Sequence, residues 1–134
     1  MMKEFPTPDM QLTNILVVGN LSRSIKFYQN VLGAVLNREY GGTSAVFDFL
    51  GCWLLLVTEG DPTIDKPEVK FVALPDKNEI SQAYTVRVKN CKESYEILTS
   101  RGAVFLTPPY NWGREVRCFF RDPDGYLWEI SEIN

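Results

Sequence analysis

The chain has 134 residues, 45% of them hydrophobic and 23% charged, the composition of one globular domain long enough to fold without a metal or disulfide staple. Its net charge of -3 is weak and acidic, which argues against nucleic acid, whose binding needs clustered Lys and Arg. It has no histidine, so Ser-His-Asp and Cys-His nucleophiles, His-ligated zinc and an imidazole base are all excluded.

The first residues, Met1 to Pro6, carry no apolar stretch of the kind that directs export. The longest apolar run, Cys52 to Val57, is far short of the ~20 residues that cross a bilayer. A soluble, cytoplasmic protein without a membrane partner is expected. Cys52, Cys91 and Cys118 stand far apart with no Cys-x-x-Cys pair, which reads as reduced, buried thiols rather than a thiolate metal site.

Leu12 to Val18 is aliphatic and β-branched and predicts a buried strand. Asn20 or Ser22 can cap a following helix, whose apolar face is Leu21, Ile25, Tyr28 and Leu32 and whose end is Gly33. Strands are predicted at Val35–Tyr40, Ala45–Leu50 and Trp53–Thr58, punctuated by Gly41-Gly42 and Gly51. Residues 59–80 hold Pro62, Pro67 and Pro75 and read as a linker, with Phe71–Leu74 as a short extended segment. The pattern then restarts. A strand at Ala83–Val88 leads to a helix that begins at Asn90, shows an apolar face of Cys91, Tyr95 and Leu98, and ends at Gly102. Strands are predicted at Val104–Thr107, Glu115–Arg121 and Tyr126–Ser131, the last two joined by Asp122-Pro123-Asp124-Gly125, a type I turn sequence.

The halves also agree in residues. Val18, Asn20 and Ser24 recur as Val88, Asn90 and Ser94, and Gly33-Ala34-Val35 recurs as Gly102-Ala103-Val104. The same order on the same predicted elements reads as a duplicated strand–helix–three-strand unit. Module one spans about residues 12–58 and module two about residues 81–132 of a single domain. Each module leaves one sheet face uncovered, and pairing them encloses a cleft.

Val17 to Leu21 leading into Ser24, Phe27-Tyr28, Val31 to Gly33, Arg101 to Ala103, and Arg121 to Glu129 together resemble the vicinal oxygen chelate family of glyoxalase I, bleomycin-resistance proteins and extradiol dioxygenases. The resemblance implies an α+β fold of two tandem βαβββ modules, with curved mixed sheets around a cup-shaped pocket, in a homodimer. It also implies a divalent metal held from the first and last strands of each module. Carried over position by position, those ligands fall on Thr13 (or Asn14 with a one-residue slip), near Leu55, near Ala83, and on Glu129. Glu129 alone matches, and one carboxylate does not hold Mg²⁺, Mn²⁺, Ni²⁺ or Zn²⁺ against water. No metal and no cofactor are therefore expected. Members that lack the ligands, bleomycin-resistance proteins among them, bind or sequester a compound instead.

Strand alternation places Thr13, Ile15 and Val17, Trp53, Leu55 and Val57, Ala83, Thr85 and Arg87, and Leu127 and Glu129 toward the cup. This is a mainly apolar set with few charges, as small-molecule sites have. Glu129 is either a ligand contact or half of a structural ion pair with Arg87 or Arg117; Arg87 is either a pocket residue or a solvated one. Tyr110-Asn111-Trp112-Gly113, after Pro108-Pro109, reads as a loop whose aromatics either stack on a planar ligand or cover an interface. Phe47, Phe49, Phe119 and Phe120 are expected in the core.

Three functions remain open. The first is a metal-free protein that binds a hydrophobic or aromatic small molecule such as an antibiotic, using Thr13, Trp53, Leu55, Ala83, Arg87, Tyr110, Trp112 and Glu129. Mild acidity suits a cationic compound, and Arg87 opposes one. The second is a metal-dependent lyase or dioxygenase with ligands relocated to Asp48, Glu115 or backbone oxygens. The third is a metal-independent enzyme with Glu129 as catalytic base.

Overall fold

The computed structural model describes residues 3–134. Module one is β1 (Thr13–Val18), α1 (Leu21–Asn30), β2 (Val35–Tyr40), β3 (Ser44–Phe49) and β4 (Cys52–Thr58). Module two is β5 (Ala83–Arg87), α2 (Cys91–Ser100), β6 (Tyr110–Asn111), β7 (Glu115–Arg121) and β8 (Leu127–Ile133). Each forms its own four-stranded mixed sheet, in the order β1-β4-β3-β2 and β5-β8-β7-β6. The first strand of each module runs parallel to the last, and the other neighbours are antiparallel.

The helices start where a short polar side chain can take up an orphan N–H. Asn20 Oδ1 accepts from Arg23 N at 3.0 Å, and Asn90 Oδ1 accepts from Glu93 N at 2.9 Å. Of the two caps open in the sequence for α1, the structure uses Asn20. Gly33 (φ +73°) and Gly102 (φ +107°) supply the left-handed residues after the helices.

Strand alternation divides each sheet into a closed and an open face. In module one, Leu16, Val18, Ala45, Phe47, Leu54 and Leu56 are buried. In module two the buried apolar strand residues are Cys118, Phe120, Trp128 and Ile130, and β8 departs from the alternation because Glu129 and Ser131 on its other face are buried as well. Tyr28 of α1 joins the two sets, its ring 6.1 Å from Phe47 and 6.0 Å from Trp128. At ~25 cal/mol per Å² of apolar area removed from water, this shared core dominates the stability of the pair.

A polar clasp reinforces that junction. The Tyr28 hydroxyl donates to Asp122 Oδ2 at 2.7 Å and accepts from Trp128 Nε1 at 3.3 Å. Asp124 accepts from Gly19 N at 2.8 Å, from the Arg23 guanidinium at 3.2 Å and from the Ser24 hydroxyl at 3.3 Å. The turn between β7 and β8 thus caps the start of α1, where a carboxylate complements the positive end of the helix. Burial pushes the Asp122 carboxyl up to about 6, against the bonds it accepts from Tyr28 and the backbone.

Three expectations are corrected. Val104–Thr107 is not a strand; it touches β7 only through a Phe105–Phe120 bridge and a Leu106 N bond to Phe119 O, and pairing resumes at β6. Pro108 and Pro109 have no N–H to donate, which breaks the ladder between the two contacts. Tyr110–Asn111, expected in a loop, are therefore the edge strand itself. Cys52 is exposed rather than buried, because it follows directly on the Leu50-Gly51 turn; Cys91 and Cys118 are buried and unpaired, their Sγ atoms 3.8 Å apart.

Candidate functional site

The open face of the first sheet is apolar. Thr13 lies opposite Trp53, Ile15 opposite Leu55 and Val17 opposite Val57, all on one side. Ile15 is 50% exposed, high for an isoleucine in a central part of a strand. Ile15 and Val17 also line a cavity of about 180 Å³ under Leu74 and Ile80, with Tyr84 and Tyr126 at its side.

The open face of the second sheet is charged. Ala83 lies opposite Leu127, Thr85 opposite Glu129 and Arg87 opposite Ser131. Across β8, Glu129 faces Phe119 and Ser131 faces Arg117. The Thr85 hydroxyl donates to Glu129 Oε1 at 2.7 Å, and Arg117 Nε stands 3.8 Å from Glu129 Oε2. Glu115 bridges both arginines, with Oε1 3.3 Å from Arg117 and Oε2 3.2 Å from Arg87. The Ser131 hydroxyl donates to Glu115 Oε2 and accepts from Arg87 Nη1. The Ser131 bond, helped by the arginines, holds the Glu115 carboxyl below its ordinary range. Each charge thus has a partner of opposite sign.

Aromatic rings wall this network. The Arg117 guanidinium lies 5.3 Å from the centre of the Trp112 ring and 5.8 Å from that of Phe119. Trp112 packs on Tyr110 with ring centres 4.7 Å apart, and both are more than half exposed. Tyr110, Trp112, Arg117 and Phe119, with Thr107, line a cavity of about 250 Å³.

The structure therefore brings Arg87, Tyr110, Trp112 and Glu129 together on the second sheet. It places Thr13, Trp53 and Leu55 together on the first, and Ala83 at the exposed start of β5. Of the two partners weighed for Glu129, Arg117 is the one beside it, while Arg87 pairs with Glu115. Ser131 and the ring of Phe119 are members that sequence reasoning did not place in the site. Phe119 was expected in the core with Phe47 and Phe120, which are buried. Its alternation with Arg117 and Glu115 along β7 is the signal that assigns it to the open face.

The donor set does not fit a divalent metal. The positions to be tested are Thr13, Leu55, Ala83 and Glu129: one hydroxyl, two aliphatic side chains and one carboxylate already engaged by Thr85 and Arg117. Among the described residues no three His, Cys, Asp or Glu side chains are placed to hold a metal ion. No helix among them is long and apolar enough to cross a membrane.

A strand–helix–three-strand unit repeated in tandem, with one open face per sheet, defines the paired βαβββ class. The model of the Glyoxalase/Bleomycin resistance protein/Dioxygenase superfamily matches residues 11–130, and the chain belongs to this superfamily. It is 34% identical over 131 residues to a lactoylglutathione lyase of Haemophilus influenzae, covering 90% of each chain. It is 30% identical over 114 residues to the metallothiol transferase FosB of Lysinibacillus sphaericus, covering 84% of this chain and 74% of that one. A crystal structure of a glyoxalase/bleomycin resistance protein/dioxygenase from Nocardioides superposes with a TM-score of 0.67 at 26% identity, over 95% of this chain and 85% of that one. The expected α+β fold of two tandem βαβββ modules is thus observed.

Proposed function

We propose that the protein is a metal-free binding protein of this superfamily that takes up a hydrophobic or aromatic small molecule, such as an antibiotic, as a cytoplasmic homodimer. The observation that carries this reading is the state of Glu129. The matched ligand position is spent on a hydroxyl and a guanidinium, and its counterparts Leu55 and Ala83 have no donor atoms. Thr13, Trp53 and Leu55 supply apolar contact, Tyr110 and Trp112 stacking surface, and Arg87 with Glu129 the polar groups that fix orientation. Homodimer formation covers open faces that a single chain leaves wet, and light scattering at about 15 rather than 31 kDa overturns it (the chain is 15.3 kDa).

The test is elemental analysis of untagged protein after incubation with Ni²⁺, Zn²⁺, Mn²⁺ and Fe²⁺ and gel filtration, followed by a thermal-shift screen of planar compounds. Absence of retained metal together with a ligand-induced rise in Tm supports binding. One tightly held metal per chain favours the second reading, a metal-dependent lyase or dioxygenase, and the name of the lactoylglutathione lyase relative supports its lyase form. A Glu129→Gln variant separates a third reading: turnover lost with affinity intact marks Glu129 as a catalytic base.

A further inference from the structure

We infer that Arg117 occupies, as a built-in stand-in, a site that selects an organic cation: an amidinium or guanidinium carried on an aromatic frame. This deepens the proposal above and rests on it for the claim that the second sheet's open face receives a ligand.

Four groups surround the Arg117 guanidinium, and each prefers a cation. They are the Glu129 and Glu115 carboxylates at 3.8 and 3.3 Å, and the faces of Trp112 and Phe119 at 5.3 and 5.8 Å. Burial divides the network into fixed and movable parts. The carboxylate side chains are 12% exposed for Glu129 and 22% for Glu115, whereas Arg117 is 37% and Arg87 60% exposed. The carboxylates are also pinned from below, Glu129 by the Thr85 hydroxyl and Glu115 by the Ser131 hydroxyl. The arginines reach them on long flexible stems from the more exposed side. The floor that remains when Arg117 swings aside is two fixed carboxylates between aromatic walls.

An arriving ligand must replace what Arg117 supplied. An anion would pair with the arginine but leave Glu129, nearly enclosed, with only a neutral hydroxyl, which is costly. A planar cation restores the charge pairing, stacks where the guanidinium stacked, and has the 250 Å³ cavity beside Tyr110 and Trp112 for its aromatic part. Arg87 does not oppose it, because Glu115 Oε2 and Ser131 already hold its guanidinium.

Isothermal calorimetry tests this with benzamidine, benzoate and neutral benzamide on the wild type, Arg117→Ala, and Arg117→Ala combined with Glu129→Gln. Circular dichroism checks the fold, and Arg117→Met, which keeps the apolar stem, stands in if the alanine variant does not fold. Removing the internal cation is expected to tighten benzamidine by about tenfold or more, the scale of one desolvated cation–π contact with its charge pair. Glu129→Gln is expected to abolish that gain, and benzoate to gain nothing. Benzoate that binds the wild type and is lost in Arg117→Ala overturns the inference, since Arg117 is then an anion receptor. Benzamidine no tighter on Arg117→Ala overturns it too. Benzamide equal to benzamidine overturns it while leaving the aromatic-binding reading intact. Metal retained by protein that prefers benzamidine sinks the metal-free reading and leaves this one standing.

Discussion

The hydroxyl of Tyr28, on the helix of module one, donates to the carboxylate of Asp122, in the last turn of module two, at 2.7 Å, and both residues are buried. Two residues 94 positions apart thereby hold the halves of the chain in one arrangement. Tyr28→Phe keeps the ring between Phe47 and Trp128 but leaves Asp122 and the Trp128 indole without this partner. A loss of about 1–3 kcal/mol in urea unfolding is expected, with the m-value unchanged.

The same carboxylate makes stability depend on pH. Its pKa of about 6 in the folded protein lies above the ordinary value of 3.8, because burial disfavours the charged form. Near pH 4 the folded state holds the proton while the unfolded state begins to release it. Stability from this group is therefore full at low pH and is lost as pH rises to about 6. Glu115, with its lowered pKa, acts in the opposite direction at more acid pH. Comparison with Asp122→Asn isolates the first effect: the wild type should lose stability relative to the variant between pH 4 and 6, and a parallel pair of curves refutes it.

Gly125→Ala is expected to cost about 1–3 kcal/mol. Gly125 has φ +98°, and a Cβ there would stand 2.6 Å from Lys77 Cγ. That lysine belongs to the linker that Arg121 fastens through the Lys77 carbonyl, so the collision disturbs more than one side chain. Gly41→Ala is the control, with a positive φ but nothing within 4 Å, and its Tm should fall less.

Removing either helix cap should act alike. Asn20→Ala and Asn90→Ala each delete one bond to the first turn and are expected to destabilise by about 1 kcal/mol, read from chemical denaturation. In α2 the Glu132 carboxylate also accepts from Cys91 N at 2.8 Å, whereas Asp124 takes up no backbone N–H of the first turn of α1, so the loss of Asn90 should be the smaller of the two.

Most of the architecture could be read from residues because local chemistry repeats it. Val18-x-Asn20 and Val88-x-Asn90 place a strand end and a cap, and Asp122-Pro123-Asp124-Gly125 forms the turn its composition specifies. Val104–Thr107 misled because an apolar run says nothing about donors, and the two prolines that follow remove them. Cys52 misled because composition cannot see that a turn exposes its neighbour. For the site, alternation assigned each side chain to a face, and the register of β1 with β4 and of β5 with β8 agrees. Periodicity does not say which faces lie within reach of each other; within one chain the expected residues divide between the open faces of two sheets. Nor did it say which arginine approaches Glu129, because that depends on register across β7 and β8.

The module-one counterpart of the Asp122–Gly125 turn is the Leu50-Gly51 turn, and it meets the counterpart helix. Where Asp122 and Asp124 bond Tyr28 and Ser24 of α1, Leu50 shares a cavity of about 160 Å³ with Ser94 and Leu98 of α2. One junction is latched by buried acids; the other is a mainly apolar gap, with the Arg101 guanidinium donating to Val31 O between the same two halves. The duplicated halves have therefore stopped being interchangeable. A protein assembled from two copies of the second half would set Asp122 against Leu98 in place of Tyr28, with no hydroxyl to donate to it, while Asp124 would still meet a serine in Ser94.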